Sequence, residues 1–167
     1  MEYLSAKEEL AAFINSSKNN KNAKLALFCV GNDLRGDDGV GSLLAKRLKE
    51  KIGEKTIILD VGSVPQNFLG LISKEKISHC LLIDAVEFHA EAGTVGFFDP
   101  SDLKEYQVTF STHFIPMNVF IDYWIEETGA IFRILGVQPK TLDFGAPLST
   151  EVAKAAENII DLLSSLI

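Results

Sequence analysis

The sequence predicts a three-layer α/β domain, a mostly parallel central sheet with helices on both faces. Short runs that are apolar throughout alternate with segments whose apolar residues recur at helical spacing. Strands apolar on both sides belong to sheets covered on both faces. The chain of 167 residues is 47% hydrophobic and 23% charged, long enough for one full core and too apolar for a disordered chain.

Ser5 to Ile14 reads as a short amphipathic helix with Leu10, Ala11 and Ile14 on one face. Ser16 to Asn22 is polar and reads as a linker, which divides the chain into an N-terminal extension, 1–22, and one domain, 23–167. Leu25 to Val30 is the first strand, and Val40, Leu43, Leu44, Leu48 and Ile52 mark the helix after it. Thr56 to Asp60 is a short strand ending in an acid, followed by a short helix over Pro65 to Ser73. Ile77 to Asp84 is a buried strand that also ends in an acid, and Gly93 to Pro100 is a shorter edge strand. Met117, Phe120, Ile121, Trp124 and Ile125 repeat at helical spacing, with Pro116 where a first helical turn tolerates it. Ile131 to Val137 is a further strand. Val152, Ala155, Ala156, Ile159, Leu162, Leu163 and Leu166 form a closing amphipathic helix.

Several function classes are excluded. A net charge of -7 argues against nucleic acid or an anionic membrane as partner. Met1 to Ser5 lacks a basic segment leading into an apolar one, and no apolar run reaches the ~20 residues a membrane span needs. Cys29 and Cys80 each sit inside an apolar strand, where a free thiol acts as a small hydrophobe. Together these features point to a cytoplasmic protein.

The chemistry is concentrated at Gly31 to Gly41, a glycine-rich turn between the first strand and its helix. Such a turn commonly cradles phosphate. Here Asp37 and Asp38 occupy the anion's place, and two carboxylates attract a cation instead. One aspartate can be a helix N-cap, accepting from the orphan N–H groups, but a second needs another explanation. Ligands in parallel sheets bind beyond the carboxyl ends of the strands, where Asp60, Asp84 and the Asp37–Asp38 turn should gather. His113, in Ser111-Thr112-His113, would complete a three-ligand site with Asp38 and Asp84. Two oxygens and one imidazole nitrogen suit a borderline divalent ion such as zinc or nickel. Taken singly, Asp84 could be a turn former and His113 a cap. His79 reads as a core or edge histidine; His89 is near enough to Asp84 to reach the site. A dinucleotide-binding reading fails on the glycine spacing and on Asp38, which would face the pyrophosphate. No nucleophile elbow, zincin motif or papain-like cysteine is present in the sequence.

These motifs, in order, resemble the maturation endopeptidases of [NiFe]-hydrogenases. The likeness rests on Val30 to Asn32 with Asp37 to Gly41, Asp60 to Asn67, Asp84 to Glu87 with Gly93 to Val95, and Ser111 to His113. The Gly-Ser-x-Pro-x-Asn segment and Leu135 to Pro139 resemble the branch serving formate-hydrogenlyase-type hydrogenases. The resemblance implies an enzyme that removes a C-terminal extension from a hydrogenase large-subunit precursor after nickel insertion. It implies that Asp38, Asp84 and His113 contact the metal, and that the metal is nickel carried by the substrate, with no permanently bound cofactor. Asp60 is expected to line the cleft and to be available as a proton acceptor. Glu87 stands where the family commonly has aspartate, and Val61 replaces a common glycine. The contrasting expectation is a non-catalytic nickel-binding chaperone.

Overall fold

The computed structural model describes residues 3–19, 21–52, 56–105, 109–110 and 117–167. Its strands are β1 (Leu25–Val30), β2 (Ile57–Gly62), β3 (His79–Glu87), β4 (Val95–Phe98), β5 (Thr109–Phe110) and β6 (Ile131–Val137). The helices are α1 (Tyr3–Lys18), α2 (Val40–Ile52), α3 (Leu69–Glu75), α4 (Asp102–Glu105), α5 (Met117–Thr128) and α6 (Thr150–Leu166). Two 3-10 turns, Gly36–Gly39 and Pro65–Phe68, lead into α2 and α3.

The main sheet runs β2-β1-β3-β6-β4. The first four strands are parallel, and β4 closes one edge antiparallel to β6. That edge place is the one expected for the Gly93–Phe98 run. β5 adds a short antiparallel ladder beyond the parallel part of β3, pairing Phe110 with Val86. Neither α4 nor β5 was expected; both are too short to leave a periodic signal.

Alternation along the strands sends side chains to two cores. Leu27, Cys29, Leu81, Ile83, Leu135 and Val137 pack beneath α1, α2 and α6. Ala26, Phe28, Val30, Leu82, Val86 and Ile134 face the opposite layer, where Ile72, Ile121 and Trp124 cover them. Trp124 anchors that layer, its ring lying 5.7 Å from Phe132 and 6.2 Å from Phe28. Burying one such aromatic side chain is worth about 3 kcal/mol. The expected three layers are therefore present.

The first helix differs from expectation. α1 continues four residues past Ile14, to Lys18, through the start of the anticipated linker. Ala6, Leu10, Phe13 and Ile14 join the same core as α6, and packing of that face carries the helix onward. Ser16 and Ser17 hydroxyls donate back to the Phe13 and Ile14 carbonyls at 2.6 and 2.7 Å, and Lys18 Nζ donates to the Leu166 carbonyl. Two strands also outrun their predicted ends. β2 passes Asp60 to reach Gly62, and β3 passes Asp84 to reach Glu87. An acid does not stop a strand whose backbone groups still find partners, here Val86 and Glu87 against β5. Among the described residues, no helix is long and apolar enough to cross a membrane.

Candidate active site

The carboxyl edge of the sheet is built on close backbone approach. A side chain at Gly41 would put its Cβ 1.8 Å from the Val30 carbonyl oxygen, so only glycine lets α2 start tight against β1. Gly36 has φ +51°, and a Cβ there would come within 2.6 Å of the Thr141 carbonyl oxygen. The glycines thus pack backbone on backbone.

Asp37 is fully buried and is not the cap of its own turn. Its Oδ2 accepts from Lys140 N (2.7 Å), Thr141 N (3.1 Å) and Ser149 Oγ (2.9 Å), while Oδ1 accepts from Ser149 N (2.6 Å). Ser149 is in turn the N-cap of α6, its hydroxyl accepting from Val152 N at 3.4 Å. The capping expectation was right about the chemistry, a carboxylate collecting backbone N–H groups, and wrong about whose they are. They belong to a segment more than a hundred residues away, which spacing along the chain cannot reveal.

Asp38 is also fully buried, in the same 3-10 turn, which packs against β3. Asp84 is fully buried on β3, opposite Gly136 of β6, with its Oδ1 accepting from Ala85 N at 2.7 Å. β1 and β3 are neighbours, so both aspartates belong to adjacent strand ends. Asp84 shares the sheet face of Leu82 and Val86, on the α5 side. Asp60 is exposed and lies toward α2, its Oδ1 accepting from Ser42 Oγ at 3.1 Å and Gly62 N at 3.2 Å. It pairs with Cys29 in the β1–β2 ladder and so shares the edge with Asp38 and Asp84, but opens onto the other face. His113 lies outside the described residues. Among the described residues, no three histidine, cysteine or acidic side chains form a cluster able to hold a metal.

Past Asp84, a second turn is held by a residue sequence reading did not single out. Gln138 is buried at the end of β6, and its Oε1 accepts from Phe88 N (2.9 Å) and Ala90 N (3.2 Å). Its Nε2 donates to Glu87 Oε2 (2.8 Å) and to the Pro139 carbonyl (3.3 Å). A glutamine closing an apolar strand just before proline was the available signal. Glu87 Oε1 also accepts from His89 N at 2.9 Å, with the His89 ring 3.7 Å away. His89 has φ +62° and an exposed ring, turned out from the buried aspartates.

The remaining candidates are structural. His79 opens β3 in the core, against the Phe13 ring at 5.5 Å, and burial lowers its pKa. Cys29 and Cys80 are free and buried. Burial pushes both thiols up to about 12, with the Asp60 charge adding to the effect at Cys29. Neither is a nucleophile near neutral pH.

A mostly parallel, doubly covered sheet, with buried aspartates from two adjacent strand ends at its carboxyl edge, defines an α/β protein of the class that binds ligands in the crevice at that edge. The comparisons narrow this class. The chain belongs to the hydrogenase maturation protease family, whose model matches residues 40–166. It is therefore a protease, a hydrolase. It is 32% identical over 137 residues to the Hydrogenase 3 maturation protease of Escherichia coli K12, covering 82% of this chain and 86% of that one. Its fold superposes on the crystal structure of a [NiFe] hydrogenase maturation protease, HycI, from Thermococcus kodakarensis KOD1 with a TM-score of 0.80. That match has 29% identity and covers 95% of this chain and 97% of the other. The solution structure of the endopeptidase HycI from Escherichia coli matches with a TM-score of 0.75 at 31% identity, covering 85% and 90%.

Proposed function

We propose that this protein is the endopeptidase that removes the C-terminal extension of a [NiFe]-hydrogenase large-subunit precursor after nickel has been inserted. The observation that carries this reading is the pair of fully buried aspartates, Asp38 and Asp84, at the ends of adjacent parallel strands in a chain of this family. Two buried carboxylates at one sheet edge concentrate oxygen donors and negative charge where a metal ion arriving with the substrate would be attracted. His113 is the third contact. Its support is topological: Phe110, three residues earlier, pairs with Val86, two residues beyond Asp84.

The nickel is substrate, held by the precursor's cysteines. Asp38, Asp84 and His113 grip its open side and so bring the scissile peptide to the edge of the sheet. An ion there polarises the carbonyl or acidifies an attacking water. A carboxylate at this edge accepts that water's proton; Asp60, the expected acceptor, shares the edge but opens onto the α2 face, its Oδ1 on Ser42 Oγ and Gly62 N. No covalent intermediate is expected: both cysteines are buried, and the sequence offers no motif that activates a serine or threonine. The free cysteines also suit a reducing compartment, and we place the reaction in the cytoplasm.

Two hard carboxylates and an imidazole, with no thiolate, favour exchangeable nickel binding. A site that reports whether the precursor is loaded must itself be empty beforehand. The test is to incubate the purified protein with nickel-loaded and nickel-free precursor and weigh the products. The expected result is release of a C-terminal peptide from loaded precursor alone, and weak nickel binding by the isolated protein. Tight stoichiometric nickel binding with no shortening of any precursor would replace this reading with the nickel-binding chaperone.

A further inference from the structure

Two of the most exposed large apolar side chains belong to two turns that are hydrogen-bonded to each other at the edge that carries the buried aspartates. Leu34 is 59% exposed and Phe144 is 79% exposed. Leu34 tips the turn after β1, its N–H donating to Asn32 Oδ1 at 3.1 Å. Phe144 tips a second turn, closed by Ala146 N donating to the Asp143 carbonyl at 3.2 Å. The two tips are joined directly, Gly145 N donating to the Leu34 carbonyl at 2.8 Å and Gly36 N to the Ala146 carbonyl at 3.1 Å. Beneath them lies the Asp37 clamp on Lys140, Thr141 and Ser149.

An exposed phenylalanine on a loose loop would be unremarkable. Here the backbone under both side chains is tied across the chain, so their ordering cost is already met before any partner arrives. Preorganised apolar and aromatic anchors of that kind dominate binding energy at interfaces. The charges around the pair indicate what binds. Exposed Asp33 and Asp143 flank the two apolar residues. Of the nearby cations, Lys140 is paired with Glu151 at 2.7 Å, and exposed Arg35, its Nε on the neutral Leu142 carbonyl at 3.3 Å, keeps its charge, so the two aspartates outnumber the one remaining cation.

We infer that Leu34 and Phe144 form the docking patch for the precursor, seating an apolar side chain that has a basic side chain beside it in the same segment. This rests on the proposed function. Leu34 and Asp38 belong to the same turn after β1, so a segment held on the patch is held on the turn that carries Asp38. The patch then governs substrate affinity, and the aspartates govern the chemical step.

The test uses the full chain with nickel-loaded precursor, comparing wild type with Leu34→Ala/Phe144→Ala and with Asp33→Lys/Asp143→Lys. Both variants should raise KM by about tenfold or more, with kcat within about twofold and an unchanged melting temperature, since the side chains are exposed. Titration of precursor binding should show the same loss without reference to cleavage. A double alanine variant with wild-type KM and wild-type binding overturns the patch. So does a fall in kcat alone, or a wild-type dimer that the variant abolishes, which would make the occupant a second copy. Wild-type protein that leaves loaded precursor intact sinks the functional reading instead, and the binding titration still judges the patch.

Discussion

The turn after β1 and the turn after β3 are both held by the same stretch of chain, residues 138–149, yet by different chemistry. The first turn is held through Asp37, whose four partners are all donors: three backbone N–H groups and a hydroxyl. The second is held through Gln138, whose partners are mixed: the Phe88 and Ala90 N–H groups, the Glu87 carboxylate and the Pro139 carbonyl. A carboxylate only accepts, so it suits the first set; an amide accepts and donates, so it suits the second. The difference teaches that each polar anchor matches its surroundings. Asp37 is thereby committed to holding the fold, while its neighbour Asp38 is buried in the same turn, against β3.

The sharpest way to break this comparison is Asp37→Ala. Four donors would lose a charged acceptor in a buried place, at a cost of about 3–5 kcal/mol. Urea denaturation should show it as a large fall in midpoint, and Asp37→Asn should fall between, its amide nitrogen now meeting donors. Wild-type stability in Asp37→Ala would refute the clamp. Next is Asp38→Asn, which should cut precursor processing at least about 100-fold, the usual cost of removing one charge-stabilising group, while the melting temperature stays near wild type. A large fall in melting temperature would make Asp38 a second structural acid.

Gln138→Ala should cost about 1–3 kcal/mol, less than the loss at Asp37 because no charge is stranded. Gln138→Glu sharpens the point by setting a second carboxylate against Glu87. That variant should be less stable than Gln138→Ala at neutral pH, because two facing carboxylates repel. The smallest effects belong to the groups away from the edge. With thiols at about 12, Cys29 and Cys80 should resist alkylation at pH 8 until urea unfolds the chain. His79, lowered from 6.5 by burial, takes up its proton more readily when unfolded. Stability should therefore be fully present above pH 6.5 and decline as pH falls below it, and His79→Phe should flatten that part of the profile.

Much of the fold and of the acidic edge was legible in the sequence. β6 and α2 begin and end close to where periodicity placed them, and the edge position of β4 followed from its brevity. Asp38, Asp60 and Asp84 were placed at one edge by their positions after strands, because a parallel sheet sends every crossover turn to the same side. The anchors were not legible. Asp37 meets residues at 140, 141 and 149, and Gln138 meets residues at 87, 88 and 90.

By itself, the sequence determined the layers, the order of the strands and helices other than α4 and β5, and the acidic character of the carboxyl edge. All of these follow from local periodicity, from the handedness of crossovers and from which residue types end a strand. Tertiary structure alone decided that α1 runs on to Lys18, that Asp37 holds distant backbone rather than capping its own turn, and that the turns carrying Leu34 and Phe144 are joined. Those outcomes depend on contacts between segments far apart in the chain, and a hydrogen bond or a packed side chain carries no trace of its partner's position until the chain has folded.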